Sequence, residues 1–202
     1  MNVLTKETQK VHSPCEHSIV KLLTGAAEQQ AMQLQQQLVA VFGDAIWLQE
    51  PPSIHSTLME VISNTKYETL TRQQHFNEWY SAYNDTVKQI ISTIEPFTIH
   101  FTELHISQYA IIIKAPNTTK FNMVRKLLLA KTKQPEQTKI APDITHSTMA
   151  RFAKSIDLTE ARKAVKKIEV DITVDVQNFS LVPNYGPPDF NGTPIVNYPL
   201  KK

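Results

Sequence analysis

The sequence predicts an α+β fold in which two pseudo-symmetric lobes, each an antiparallel-rich sheet with flanking helices, surround a central cleft. Two observations predict it. Short β-branched runs alternate with amphipathic helical stretches along the 202 residues. The tripeptide His-Ser-Thr occurs at 55–57 and again 91 residues later at 146–148, and each half shows the order strand, helix, strand with the tripeptide, helix, strand. We expect lobes over about 16–106 and 107–202, with strand exchange allowed, after a flexible segment 1–15.

Each element is predicted from local spacing and from end signals. Apolar residues at helical spacing predict the helices, which we place at 26–42, 71–95, 118–131 and 157–169. Gly43 ends the first helix, Thr71 with Gln74 forms a capping box for the second, and Asp157 with Glu160 caps the last. Alternating or β-branched runs predict the strands, which we place at 16–23, 45–50, 53–62, 97–106, 108–115, 143–152, 171–183 and 195–200.

The composition narrows the class of protein. A net charge of +2 does not justify general nucleic-acid binding, but the charge is uneven: residues 1–113 hold 6 Lys/Arg and 11 Asp/Glu, whereas residues 114–167 hold 13 and 4. Two interpretations stay open, a basic surface suited to an anionic ligand or simply the solvated faces of helices. Cys15 is the only cysteine, which excludes an intramolecular disulfide and a cysteine-based zinc site. Without a signal-peptide pattern or a membrane-spanning run, we expect a cytoplasmic monomer with no membrane partner.

The repeated tripeptide carries chemistry because alternate residues of a strand share a face. His55 and Thr57 then point one way, as do His146 and Thr148 on the second strand. If the lobes face each other, two imidazoles and two hydroxyls converge. One imidazole can accept a proton from water while the other protonates a leaving oxygen, and hydroxyls can bind phosphate oxygens. Two histidines offer too few ligands for a metal, and Asp143 falls on the opposite face, so the pattern predicts a metal-free phosphodiester site without a cofactor.

Other candidates are weaker. His100 and His105 also begin His-x-Ser/Thr patterns, but their strand has no histidine counterpart in the other half, so we expect ordinary partly buried or surface histidines. The alternation of side chains along a strand places Arg151 on the face opposite to that of His146. Arg151 would then not bind the phosphate unless a bulge intervenes. Three aromatic residues could contact a nucleobase: Tyr109, Trp47 and Tyr185. For Tyr109, packing in the core is the more ordinary role.

The sequence resembles the 2H phosphoesterase superfamily over about residues 16–200, and within it the 2′-5′ RNA ligase or cyclic phosphodiesterase branch. The resemblance lies in the paired His-x-Thr motifs, in "PDITHSTMAR" and in the ending "FSLVPNYGPPDFNGTPIVNYPL". It implies hydrolysis of 2′,3′-cyclic phosphates or 2′-5′ linkages without a metal. His55 and His146 would be the acid/base pair, with Thr57 and Thr148 binding phosphate. The resemblance favours His146 as the base and His55 as the acid, and the reverse assignment stays open because it depends on the orientation of the substrate. Serine in the middle of both motifs departs from the usual apolar residue.

Three functional interpretations remain open on the sequence. The first is this phosphodiesterase, acting on a nucleotide or an RNA end that carries a cyclic phosphate or a 2′-5′ linkage, with reverse ligation undetermined. The second is a nucleotide- or RNA-binding module that keeps the cleft without turnover. The third, an RNA-binding protein that tracks the backbone, has less support because the basic residues lie mostly on predicted helices.

Overall fold

The computed structural model describes residues 16–62, 69–133, 144–185 and 193–202; the predicted flexible segment 1–15 lies outside them. These residues form four α-helices: α1 (Ala26–Phe42), α2 (Thr69–Ser92), α3 (Thr119–Lys131) and α4 (Leu158–Ala164). The strands are β1 (Glu16–Leu22), β2 (Ile46–Leu48), β3 (His55–Ile62), β4 (Phe97–Phe101), β5 (Glu103–Ile106), β6 (Ala110–Ala115), β7 (Thr145–Phe152), β8 (Ile172–Val176), β9 (Asn178–Asn184) and β10 (Val196–Pro199). The predicted α+β class is confirmed.

Helix ends test the capping predictions. The predicted cap of α4 is confirmed, since the Asp157 carboxylate accepts hydrogen bonds from the backbone N–H groups of Thr159 and Glu160, at 2.7 and 3.2 Å. The capping box at Thr71 is wrong: α2 begins at Thr69, so Thr71 lies inside the helix. α4 is also shorter than predicted, because the chain tightens into a 3₁₀ turn at 165–167.

The strands form one large sheet and one small sheet. The large sheet has the order β10-β9-β1-β3-β7-β6-β5, with β2 also paired to β7, and β4 and β8 form a separate pair. Two predicted single strands, 97–106 and 171–183, are each divided by one residue, Thr102 and Gln177 respectively, and the two pieces of each join different sheets. β5 thus pairs with β6, while β9 pairs with β1. The lobe boundaries stay a prediction.

The strands carrying the tripeptides are neighbours at the middle of the large sheet. β3 and β7 are antiparallel and pair at Ser56 and Ser147. β1 flanks β3 and β6 flanks β7, so each motif strand lies between the other motif strand and a further strand of its own half. The sheet topology therefore places the two motifs side by side.

The core lies between the helices and one face of the large sheet. α2 and α3 contact β3, and α1 contacts β7. Apolar side chains on that face, such as Ile19, Leu58 and Met149, are fully buried, and each contributes about 1.5–3 kcal/mol of burial free energy. The other face of β3 and β7 carries the half-buried side chains of the motifs. Among the described helices, none is both long and apolar enough to cross a membrane.

Candidate active site

The middle serines of the two tripeptides hydrogen-bond to each other on the face of the sheet opposite the histidines. Ser56 Oγ and Ser147 Oγ lie 2.7 Å apart and both side chains are buried. Buried hydroxyls need hydrogen-bond partners, and here each serine is the partner of the other. This pairing explains why both middle residues are serine: each hydroxyl supplies the hydrogen-bond partner that the other needs across the adjacent strands.

The four predicted site residues lie on the opposite face and line one cavity of about 120 Å³. They are His55, Thr57, His146 and Thr148, all half-buried. Because the strands are antiparallel and paired at the serines, His55 lies beside Thr148 and Thr57 lies beside His146. Each imidazole thus has a hydroxyl from the other motif as its neighbour.

A bulge follows each tripeptide and brings a charged residue into the cavity. Leu58 is the extra residue in β3, since Val20 of β1 pairs with Thr57 and Ile19 pairs with Met59. In β7 the extra residue is Met149, because Ile112 of β6 pairs with Thr148 and Ile111 pairs with Ala150. A bulge shifts the alternation of faces by one residue.

The bulges correct the prediction for Arg151. This side chain lines the cavity with the histidines, and Glu60 does so at the equivalent position of β3. Glu60 was missed because strict alternation assigns it, like Arg151, to the other face. The signal was present in the sequence as two consecutive buried apolar residues in "TLME" and "TMAR", where a regular half-buried strand has one. Further cavity residues that the sequence did not indicate are Glu16, Ser18, Gln49 and Asn184.

Each bulge is held by a buried side chain from a helix. Arg125 of α3 donates from Nε to the Leu58 carbonyl oxygen at 2.9 Å and from Nη2 to the Thr57 carbonyl oxygen at 3.1 Å. Gln35 of α1 donates from Nε2 to the Met149 carbonyl oxygen at 2.8 Å, beside the hydrogen bond that this oxygen accepts from the Gln49 backbone N–H at 3.0 Å. A bulge frees backbone groups from the ladder, and buried backbone oxygens need donors. The two helices therefore stabilise the distortion that turns Glu60 and Arg151 into the cavity.

Arg151 lies against an aromatic ring and within reach of the charge of a carboxylate. Trp47 of β2 pairs with Arg151, and the guanidinium carbon lies 6.0 Å from the centroid of the indole ring, a distance at which cation–π attraction operates. Burial lowers the pKa of Arg151, and the Glu16 carboxylate opposes that shift. The Asn184 amide donates a hydrogen bond to Glu16. The guanidinium stays charged and faces the histidines from a defined position.

Comparison with solved structures identifies the fold. No family model and no curated protein matches the chain. A Thermus thermophilus protein, TT0787, is 15% identical with a TM-score of 0.63, covering 92% of this chain and 98% of its own. Escherichia coli LigT in complex with 3′-AMP is 10% identical with a TM-score of 0.60, covering 96% and 99%. Usb1 of Kluyveromyces marxianus is also 10% identical with a TM-score of 0.59, covering 93% and 99%. The chain therefore shares its fold with TT0787, LigT and Usb1.

Within this fold, both histidines are held toward the neutral form. Burial lowers the pKa of His55, and the positive charges of His146 and Arg151 lower it further, with the Ser53 backbone acting in the other direction. Burial also lowers the pKa of His146, the Ile144 backbone acts in the other direction, and three cations lower the pKa further: Arg125, Arg151 and Lys114. His55 Nδ1 lies 2.7 Å from the Ser53 carbonyl oxygen, which can only accept. Nδ1 therefore carries the proton, and Nε2 is left for the cavity.

The remaining sequence candidates lie elsewhere. His100 is exposed and its Nε2 lies 2.6 Å from an Asp171 carboxylate oxygen. Tyr109, expected to pack in the core, is instead 58% exposed in the turn between β5 and β6. Trp47 is buried, and its ring faces Arg151. Tyr185 is half-buried directly after β9. No cluster of three or more His, Cys, Asp or Glu side chains suited to a metal ion occurs in 16–62, 69–133, 144–185 and 193–202.

Proposed function

We propose that this protein is a metal-independent phosphodiesterase that hydrolyses a 2′,3′-cyclic phosphate or a 2′-5′ phosphodiester of a nucleotide or of RNA by acid/base catalysis with His55 and His146. The observation that carries the proposal is the convergence of both histidines, both motif threonines and Arg151 on one cavity. The fold shared with LigT and Usb1 supports this class of reaction. LigT structures with 3′-AMP, phosphate, ATP and NADP⁺ support a nucleotide ligand for the cleft.

The reaction requires one proton to be removed and one to be supplied. The neutral imidazole accepts a proton from water as the water oxygen attacks phosphorus. The protonated imidazole on the other side donates its proton to the ribose oxygen as the phosphorus–oxygen bond breaks. The product of a cyclic phosphate is then a phosphomonoester beside a free hydroxyl. Two imidazoles can hold these two states together near neutral pH, and each typically contributes 10²–10⁴-fold to the rate.

The charge that develops on the phosphate oxygens needs donors in fixed positions. The hydroxyls of Thr57 and Thr148 donate to the non-bridging oxygens, one from each strand. Arg151 supplies a positive charge that Trp47 and Glu16 keep in place. Donors that are already oriented stabilise the transition state without the cost of rearrangement during the reaction.

The charges around the site favour His146 as the base and His55 as the acid. A base must be neutral before it accepts a proton. Arg125, Arg151 and Lys114 all lower the pKa of His146, whereas Arg151 is the only permanent cation among the named causes at His55. More permanent cations thus oppose the proton on His146, whereas burial, the largest cause at both histidines, opposes it on each. This assignment agrees with the one that the family resemblance implies.

The decisive experiment measures turnover of a nucleoside 2′,3′-cyclic monophosphate in the presence of EDTA. We expect wild type to cleave it, and His55→Ala and His146→Ala each to lose about 100-fold or more in kcat. His100→Ala is the matched control, because it removes a histidine from another His-x-Thr pattern that lies on the surface. The phosphate isomer formed shows which ribose oxygen leaves.

Two results would contradict the proposal. If wild type is inert on this substrate and on 2′-5′ oligonucleotides but binds nucleotides, the chain is a binding module with the same cleft. If activity depends on a metal and vanishes in EDTA, the metal-free mechanism is wrong even though a phosphodiesterase remains.

A further inference from the structure

The two histidines have different neighbours on the outer side of their strands. Lys114 of β6 pairs with His146, whereas the equivalent position opposite His55 is Leu22 of β1. Paired residues of antiparallel strands point to the same face. An ammonium group therefore stands next to the cavity on the His146 side, and an apolar side chain stands there on the His55 side.

The positive face continues onto the edge strand. His105 of β5 pairs with Ile112, which itself pairs with Thr148 on the site face. Arg162 of α4 reaches the end of the same strand, where its Nη2 lies 3.4 Å from the Ile106 carbonyl oxygen. The charges of Lys114 and Arg162 both act on His105, where they add to burial in lowering its pKa. We call these three residues the Lys114 cluster: Lys114, His105 and Arg162.

The opposite side of the cavity is negative. Glu16 and Glu60 line it, and the neighbouring Asn184 and Ser18 are neutral. The cavity of about 120 Å³ is smaller than the roughly 300–1,000 Å³ typical of small-molecule sites. It encloses the reacting phosphate group, and the remainder of a nucleotide has to extend over one side or the other. A second phosphate is repelled by Glu60, whereas Arg151 offsets the charge of Glu16, and it is attracted on the side of Lys114.

We propose that a second phosphate of the substrate binds at the Lys114 cluster, so that the enzyme prefers substrates with at least one phosphate besides the one that reacts. This inference rests on the proposed function for the identity of the reacting group. The minimal preferred substrate is a nucleoside 2′,3′-cyclic phosphate that also carries a 5′-phosphate, as at the end of an RNA chain. Glu103 lies opposite Lys114 on β5 and is exposed, so its charge weakens this second position.

The test uses two pairs of compounds that differ only in the second phosphate. Turnover is compared between adenosine 2′,3′-cyclic phosphate and its 5′-phosphorylated form, and binding between adenosine 3′-phosphate and adenosine 3′,5′-bisphosphate. We expect wild type to prefer the doubly phosphorylated member by about tenfold, the size of one charge-assisted hydrogen bond. Lys114→Gln should remove most of that ratio, Lys114→Arg should retain it, and Glu103→Gln should increase it. Lys88→Gln, an exposed lysine on α2, is the matched control.

Salt dependence separates binding from a structural effect. Loss of one phosphate contact should make the affinity for the bisphosphate less dependent on salt, because salt screens the lost ion pair. Equal losses on both members of a pair, or a wild type without preference, would overturn the inference. If no substrate is turned over but the binding ratio and its loss in Lys114→Gln persist, the second phosphate position stands and the proposed phosphodiesterase function fails.

Discussion

The two halves of the site share the tripeptide and the bulge that follows it, and they differ in charge. Each half has the tripeptide, a bulge one residue after it, and a side chain turned into the cavity by that bulge. At the turned-in position the first half has Glu60 and the second has Arg151, and beside the histidine they have Leu22 and Lys114. The repeat therefore supplies equivalent positions for two imidazoles, while the side chains around them give the two halves different charges.

The side chains that hydrogen-bond to the two bulges also differ in charge. A charged side chain, Arg125, holds the first bulge and a neutral amide, Gln35, holds the second. The Arg125 charge nevertheless acts on His146, the histidine of the other half. Arg125, which holds the first bulge, and Arg151, which follows the second bulge, thus both lower the pKa of His146. The two histidines thus differ in the number of permanent cations that act on them, while burial is the largest cause of the lowered pKa at both.

The comparison predicts opposite effects of glutamine at the two turned-in positions. Arg151→Gln should lower kcat/KM for a nucleoside 2′,3′-cyclic phosphate by about 100-fold, because it removes a fixed charge beside the transition state. Glu60→Gln should raise kcat/KM by about two- to fivefold, because it removes a carboxylate that repels the phosphate. Steady-state kinetics at one pH and ionic strength measure both.

Arg151→Lys serves as the companion variant, since it keeps the charge and loses the planar donor pattern. Thermal unfolding of each variant excludes loss of fold as the cause. Equal losses in Arg151→Gln and Glu60→Gln would show that the two residues act as one structural pair, and the functional asymmetry between the halves would have to be abandoned.

The hydrogen bond between Ser56 and Ser147 is a contact to which the two halves contribute equally. Ser56→Ala and Ser147→Ala should each lower the free energy of unfolding by about 1–3 kcal/mol, because each leaves the other hydroxyl buried without its partner. The double variant should cost clearly less than the sum of the two single variants. Urea denaturation of the four proteins gives the coupling energy. Strict additivity would mean that the 2.7 Å contact does not stabilise the fold.

The sequence predicted the α+β class, most element positions and the two histidines and threonines that meet in the cavity, because these depend on periodicity and on a repeat. It placed Arg151 on the wrong face and missed Glu60, because a bulge adds one residue and strand parity assumes none. It also treated 97–106 and 171–183 as single strands, since the single residues that divide them, Thr102 and Gln177, carry no turn signal. Long-range pairing decides such breaks, and local sequence does not report it.

The prediction with the smallest expected effect concerns the pH profile of kcat/KM, which distinguishes the acid from the base. Both histidine pKa values lie below 6.5 in the free enzyme, so kcat/KM should be highest on the acid side of neutrality. Its acid limb reports protonation of the base and its alkaline limb reports loss of the proton from the acid. Lys114 lowers the pKa of His146 and is not among the causes at His55.

Lys114→Gln should therefore raise the pKa of His146 and move one limb of the kcat/KM profile to higher pH. If His146 is the base, the acid limb moves and the alkaline limb stays, because removing the cation makes the base hold its proton up to a higher pH. Movement of the alkaline limb alone would make His146 the acid and reverse the roles. Arg151 acts on both histidines, so a variant there shifts both limbs and cannot make this distinction. Lys88→Gln should leave both limbs in place, and a Lys114→Gln profile equal to it would show that the Lys114 charge does not reach His146.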